Sequence, residues 1–375
     1  MIKRIIVGGA GGTPALNFIR SLRIAKEKFF LIGVNSNKFD LCKAKELVDL
    51  CFLVPPARNK DYLQVLKQIV KKTRPEFMHA QNDEEVNVIS RYRDDLGVNT
   101  FLPRHEVVVT CQDKFKSTQL WAEAGLEVPK TFLINTEEDL QNAFANITGK
   151  VWLRATQGAA GKWSLPTENI RLAKHWIDYC GGWGKMCASE CLSPISCTWL
   201  SIWKRGELVV AQGRKRLYWE FSNRSPSGVT GITGTGVTIS DKRIDETAIK
   251  AIKTIDKIPN GVYGVDLTYD KRGVANPTEI NIGRFFTTIQ FFAEAGLNMP
   301  YIYVKLAFGE KAPILAKKVN PIKPDLAWVR GMDVEPILIP VKEIDKFERD
   351  LDKRMAKIKK VALETKQKPP ICEVK

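Results

Sequence analysis

Apolar runs that close on glycine or polar residues recur through the first hundred positions: "RIIVGG" at 4–9, "FFLIGVN" at 29–35 and "PEFMHA" at 75–80, with a further apolar segment, "LVDLCFLVP", at 47–55. Between them the apolar positions take helical spacing over 14–24 and 61–72, and another helix opens near Asn82 or Asp83. Short continuous apolar runs alternating with amphipathic helices predict a parallel sheet with helices on both faces. From about 111 the pattern changes. "DKFKSTQLWAEAGLEVP" reads as a helix that stops at Gly125 with Pro129 beyond it. Residues 130–205 hold short strands around a glycine-rich loop, 206–315 are strand-rich and then helical, and 341–361 form a charged helix before a proline-containing tail.

The strand-like stretch 262–269 is followed by "DKRG", a turn signal, and then by "EINIGR". Successive side chains of a strand point to opposite faces, so Glu279 and Asn281 share a face with Ile280 packed behind them. Folded as a hairpin, the segment brings Asp266 near Glu279. Two carboxylates and an amide oxygen are hard-oxygen donors suited to Mg²⁺ held together with a phosphate chain. A half-buried hairpin with solvated polar ends accounts for the same segment, so it does not decide the matter alone.

Other stretches add candidates of the same kind. "VWLRATQGAAGKWS" (151–164) is a strand carrying Arg154 into a loop with Gly158, Gly161 and Lys162. Small residues there let backbone N–H groups approach phosphates, although the loop is not the GxxxxGK[ST] type. "VGGAGGTPALNFIRSLR" (7–23) offers Gly9 and Gly11 but Thr13 or Leu16 where a dinucleotide fingerprint has its third glycine. Asn35 stands where such a site has its ribose-binding acid at the end of the second strand. A nicotinamide-dependent oxidoreductase is the reading that this loop alone would support.

Composition narrows the partners. The net charge of +16 favours anionic ligands, but the basic residues are dispersed and not interleaved with aromatics, which argues against a dedicated nucleic-acid surface. A 44% hydrophobic fraction provides for sizeable cores. No apolar run reaches membrane-spanning length, and "MIKRIIVGGAGG" lacks the long apolar stretch of a signal peptide. Eight irregularly spaced cysteines without a CxxC pair and three scattered histidines suggest neither zinc nor disulfides, so a reduced, cytoplasmic setting is expected.

The order of these features resembles the ATP-grasp superfamily, in its carboxylate–amine ligase and carbamoyl phosphate synthetase large-subunit-like branch. The resemblance runs from "VGGAGG" to "AGLNMPYIYVKLAFGE" (295–310). It implies an α/β chain with a Rossmann-like parallel-sheet domain at 1–110 and an ATP-grasp domain of two α+β subdomains at 111–320, its lid at about 146–205. A C-terminal extension with the charged helix would occupy 321–375. By this resemblance Lys114 of "CQDKFK" contacts nucleotide phosphate, and Arg154 stands where most members have lysine. "ECL" is similar to the adenine hinge, with Glu190, the Cys191 backbone and the Leu192 side chain. Ser196 falls where a ribose-binding Glu is usual. Asp266, Glu279 and Asn281 match the metal set for Mg²⁺ or Mn²⁺ with ATP. Arg284 resembles the catalytic arginine of "EINPR", one position late. Arg214 and Lys215, in the stretch 206–240, are candidate clamps for the acceptor's carboxylate or phosphate. The implied activity is an ADP-forming ligase that activates a small carboxylate as an acyl phosphate and joins it to an amine. Activation of bicarbonate or carbamate, and a nucleotide-binding regulatory protein without catalysis, are the alternatives, and a homodimer is left open.

Overall fold

The structure, a computed structural model, describes residues 2–331 and 340–366. The remainder of the expected C-terminal extension, including the proline-containing tail, lies outside the described residues. The chain divides into two compact units, 1–100 with 334–375, and 101–333.

The first unit is built as its hydrophobic pattern predicts. Strands β1 (Lys3–Val7), β2 (Phe29–Asn35), β3 (Leu50–Leu53), β4 (Phe77–His79) and β5 (Asn99–Thr100) form a sheet of order β3-β2-β1-β4-β5. All of its pairs are parallel. Helices α1 (Thr13–Arg23), α2 (Lys38–Ala44), α3 (Tyr62–Thr73) and α4 (Asp83–Arg91) connect the strands. Ile5, Ile6, Val7, Leu31, Ile32 and Val34 are fully buried, which is why these runs are continuous and not alternating. Pro14 sits in the first turn of α1, where a missing N–H costs nothing, and the Asn82 side chain accepts from Glu85 N at 2.8 Å to cap α4.

The second unit carries two antiparallel sheets. Helices α5 (His105–Gln112) and α6 (Lys114–Glu123) lead into it; the sequence pattern shows one helix beginning near 111, whereas Asp113 ends α5 and caps α6 by accepting from Lys116 N at 3.0 Å. Strands β6 (Thr131–Ile134), β7 (Val151–Ala155), β8 (Leu165–Thr167) and β9 (Met186–Glu190), with α7 (Glu137–Asn146) and α8 (Ile170–Cys180), make a four-stranded sheet of order β6-β9-β7-β8. Its own small core joins Leu153 and Met186 of the sheet to Ala143 and Ile177 of the helices. The larger sheet has order β14-β13-β10-β11-β12-β15, from β10 (Ser196–Lys204), β11 (Glu207–Trp219), β12 (Thr233–Ile239), β13 (Gly261–Tyr269), β14 (Ala275–Ile282) and β15 (Ala327–Val329). Helices α9 (Lys242–Ile255), α10 (Ile289–Glu294) and α11 (Met299–Ala307) complete this unit.

The charged helix α12 (Val341–Lys366) belongs to the first unit, where it packs on α2, α3 and β3. Arg354 lies 4.7 Å over the Phe52 ring, and Lys45 pairs with Glu343 at 2.6 Å. Among the described residues no helix is long and apolar enough to cross a membrane.

Candidate active site

The hairpin β13–β14 places Asp266 directly opposite Glu279. A regular ladder would not do this. The register shifts between Asp266 and Leu267, where Thr278 is the extra residue between Pro277 and Glu279. One inserted residue turns the strand so that Glu279 and Asn276 face the same side, a device common beside functional sites. Arg154 Nη2 donates to the Thr278 carbonyl at 3.2 Å and Thr278 Oγ1 to the Asp266 carbonyl at 3.1 Å, so both groups of the bulge are held. Asn281 Nδ2 donates to Asp266 Oδ2 at 3.0 Å, which brings the three oxygen-bearing side chains together on one face.

Cations surround this group. Lys114, at the first position of α6, lies 3.4 Å from Glu279 Oε2 and donates to Gly158 O at 2.7 Å. Arg284 donates to Asn281 Oδ1 at 2.6 Å. Burial raises the pKa of Glu279, but the charges of Lys114, Arg154 and Arg284 outweigh it and bring the carboxyl down to about 2. Asp266 goes the other way: burial raises it, and the charge of Arg216 only partly compensates. A carboxylate pair of this kind, with an amide alongside, is a donor set that fits a hard divalent cation. Among the described residues no group of three His, Cys, Asp or Glu side chains forms a metal cluster, so any cation here depends on the amide as well.

The row continues across the larger sheet. Asp266 is opposite Thr198 on β10, and Thr198 is opposite Arg214 on β11. Thr198 Oγ1 donates to Asp266 Oδ1 at 2.5 Å. Arg214 is buried on this face, whereas Lys215, the next residue, is directed to the opposite face beside Cys197. The structure therefore separates the two residues that the sequence reading grouped as a clamp. It is Arg216, two residues on, that shares the face of Arg214, with Nη2 lying 3.6 Å from Asp266 Oδ1. Sequence reasoning missed Arg216, although the alternation of a strand, applied to "GRKRL", was the signal that pairs 214 with 216.

Glu190 and Leu192 line a cavity of about 550 Å³ whose other walls include Lys130, Arg272 and Asn276. The Cys191 backbone N–H is already committed, to Lys150 O at 3.2 Å. Asn276 and Glu279 lie on one face opposite Thr268 and Asp266, which are two residues apart, so cavity and carboxylates are about 7 Å apart at ~3.4 Å per residue.

The loop after β7 needs left-handed backbone at Gly158, Ala160, Gly161 and Trp163. A Cβ on Gly161 would come within 2.7 Å of Val229 O, and Ser164 and Ser227 hydroxyls meet at 2.6 Å, so the loop rests on the segment joining β11 to β12. Lys162 is exposed and stacks on Trp163 at 4.5 Å. In the first unit the loop after β1 is occupied by the protein itself. A Cβ on Gly8 would fall 2.3 Å from Glu85 Oε2, and the Glu85 carboxylate accepts from the Gly9 backbone. A buried carboxylate on those amides is unsuited to a pyrophosphate.

No protein-family model matches the sequence, and no curated protein matches it. Solved structures do. L-amino acid ligase from Bacillus licheniformis shares the fold at TM-score 0.64 and 11% identity, over 83% of this chain and 75% of that one. The biotin carboxylase domain of 2-oxoglutarate carboxylase from Hydrogenobacter thermophilus, in complex with MgADP, ADP and bicarbonate, gives TM-score 0.67 and 14% identity over 87% and 73%. N5-carboxyaminoimidazole synthetase from Staphylococcus aureus gives TM-score 0.62 and 11% identity over 83% and 78%. These neighbours are ATP-grasp enzymes, and the chain has their fold, as the order of its motifs led us to expect.

Proposed function

We propose that this chain, which has the ATP-grasp fold, is an ADP-forming ligase that phosphorylates a small carboxylate and passes the acyl group to an amine. The observation that carries this reading is the grouping of Asp266, Glu279 and Asn281 on one face with Lys114, Arg154 and Arg284 around it. Bound there through Asp266, Glu279 and Asn281, Mg²⁺ or Mn²⁺ would neutralise charge on the β- and γ-phosphates of ATP. Lys114 and Arg154 hold the phosphates, and Arg284 stabilises the charge that develops on the phosphoryl group in flight. Glu190 and Leu192 take the base in the cavity they line, with the Cys191 backbone between them. The region 146–205 acts as a lid, and its loop through Gly158 and Gly161, with Lys162, covers the phosphates and keeps water from the activated acid.

In the first step a carboxylate oxygen bonds to the γ-phosphorus while the bond to the β–γ bridging oxygen breaks, its electron pair leaving on ADP. In the second the amine nitrogen attacks the acyl carbon, the bond to the phosphate oxygen breaks, phosphate leaves with that pair, and the nitrogen loses a proton to solvent. Basic groups gathered at the β- and γ-phosphate end favour this course over attack at the α-phosphate. Turnover over pools of amino acids and small carboxylates should release ADP and phosphate, hydroxylamine should trap a hydroxamate, and ¹⁸O from the carboxyl should appear in phosphate. AMP with pyrophosphate would refute the mechanism, and binding of dinucleotide but not of Mg·ATP would refute the reading altogether.

A further inference from the structure

Arg214 has an expensive position. It is 2% exposed, yet its hydrogen bonds run to hydroxyls alone: Nη1 donates to Thr288 Oγ1 at 2.5 Å and Nη2 to Thr198 Oγ1 at 3.4 Å. Its Nε is buried with no partner, and among the described residues it forms no ion pair. Two residues along, Arg216 is 9% exposed and donates to Ser196, Thr198 and Thr233 hydroxyls. Two guanidinium groups side by side in a dry setting repel each other, and a buried cation without a counter-charge is strongly unfavourable. Burial first, and then the charge of Arg216, lower the Arg214 pKa to about 9, which leaves it cationic at neutral pH.

The surroundings are shaped to keep it there. Phe286 lies 4.2 Å beneath the Arg214 guanidinium and Trp219 3.7 Å from that of Arg216, fixing both planes. On the neighbouring strand Gly236 leaves the space that the Arg214 stem fills: a Cβ there would stand 3.3 Å from Arg214 Cδ. Thr198 links the two ends of the row, donating to Asp266 and accepting from both arginines. The backbones of Asp266 and Arg214 are two strands apart, about 10 Å at ~4.8 Å per strand, but both side chains reach Thr198 Oγ1, and the Asp266 charge offsets only part of what burial and Arg216 impose on Arg214. One face of the sheet thus runs from carboxylates at the β14–β13 end to two arginines at the β11 end, of which Arg216 reaches Asp266 Oδ1 at 3.6 Å and Arg214 has no ion pair among the described residues.

We propose that Arg214 and Arg216 form a preorganised subsite for the carboxylate of the acceptor, adjacent to the phosphate-binding end and distinct from the cations Lys114, Arg154 and Arg284 that serve ATP. This deepens the ligase reading above and rests on it. It makes a small organic acid the substrate class, because a planar carboxylate presents paired oxygens to guanidinium forks. Lys215, on the other face, has no part in the subsite.

The test is thermal stabilisation by sodium acetate and sodium succinate against sodium chloride at matched ionic strength, with Mg²⁺ present and nucleotide absent. The carboxylates should raise the melting temperature of the wild type beyond chloride, and the apparent affinity should fall by about tenfold or more in Arg216→Gln. Lys114→Gln should respond as the wild type does. Arg214→Met disturbs the packing around the buried side chain, so Gly236→Val, which crowds the Arg214 stem without removing charge, is the second variant and should weaken the response too. A wild type that responds no better to carboxylate than to chloride overturns the proposal. So does a response that survives Arg216→Gln, or one that disappears in Lys114→Gln instead. Calorimetry with Mg·ATP on the same proteins separates the two ideas: loss of ATP binding by the wild type sinks the ligase reading, whereas the carboxylate response reads the subsite directly.

Discussion

Glu279→Gln removes one negative charge from among three cations, Lys114, Arg154 and Arg284, with almost no change in volume. The wild-type carboxylate is 30% exposed at its side chain, and Lys114, Arg154 and Arg284 together hold its pKa at about 2 against an ordinary 4.5. That separation corresponds to about 3 kcal/mol at 1.36 kcal/mol per pH unit, an upper figure since solvent reaches part of the group. The variant leaves the three cations facing one another across a neutral amide, so it should be less stable by about 1–3 kcal/mol at pH 7. The sign of the pH dependence follows from a depressed acid. The wild-type advantage is fully present above pH 4.5 and is lost as pH falls toward about 2. Urea denaturation of both proteins between pH 7 and pH 3.5 measures this, with secondary structure as the probe. The gap should be level from pH 7 to 5 and begin to close below 4.5. ADP formation with Mg·ATP should be abolished, because a ligand to the cation loses its charge. A variant as stable as the wild type at pH 7 would refute the electrostatic reasoning, and near wild-type turnover would exclude Glu279 as a metal ligand.

Asn281→Ala should reduce turnover less than Glu279→Gln does, since a neutral oxygen contributes less to a hard cation; steady-state ADP release compares them. Glu85 is an independent case in the first unit: burial raises its pKa from 4.5 to about 7, so its contribution is complete below pH 4.5 and is lost as pH rises through 7. Glu85→Gln, which cannot ionise, should gain about 3 kcal/mol relative to the wild type between pH 4.5 and 8 in the same denaturation assay. Lys114→Gln removes the charged donor to Gly158 O and should make the loop 157–163 more open to limited proteolysis, with wild-type resistance restored by arginine at 114 if charge is what matters. Leu153→Ala, in the fully buried core of the four-stranded sheet, should cost about 2–5 kcal/mol in denaturation of the isolated effect on that sheet, read by Trp fluorescence.

The parallel sheet of the first unit was legible because a strand buried on both faces needs an unbroken apolar run, and helices between such runs leave their own periodicity. The carboxylates were legible for a related reason: alternation along β14 assigns Glu279 and Asn281 to one face, and the turn after Tyr269 brings Asp266 across. What no local pattern determined is the bulge at Thr278, because the number of residues between two strands does not say where a ladder slips. The partnership of α12 with β3, α2 and α3 is likewise a matter of long-range packing, decided by apolar and ionic contacts between residues some three hundred positions apart. The Arg214–Arg216 pair lay between these cases. Its shared face was written in the strand period, but its burial depended on Gly236 from one other segment and on Phe286 and Thr288 from a second, and a charge becomes costly only once tertiary structure has taken its water away.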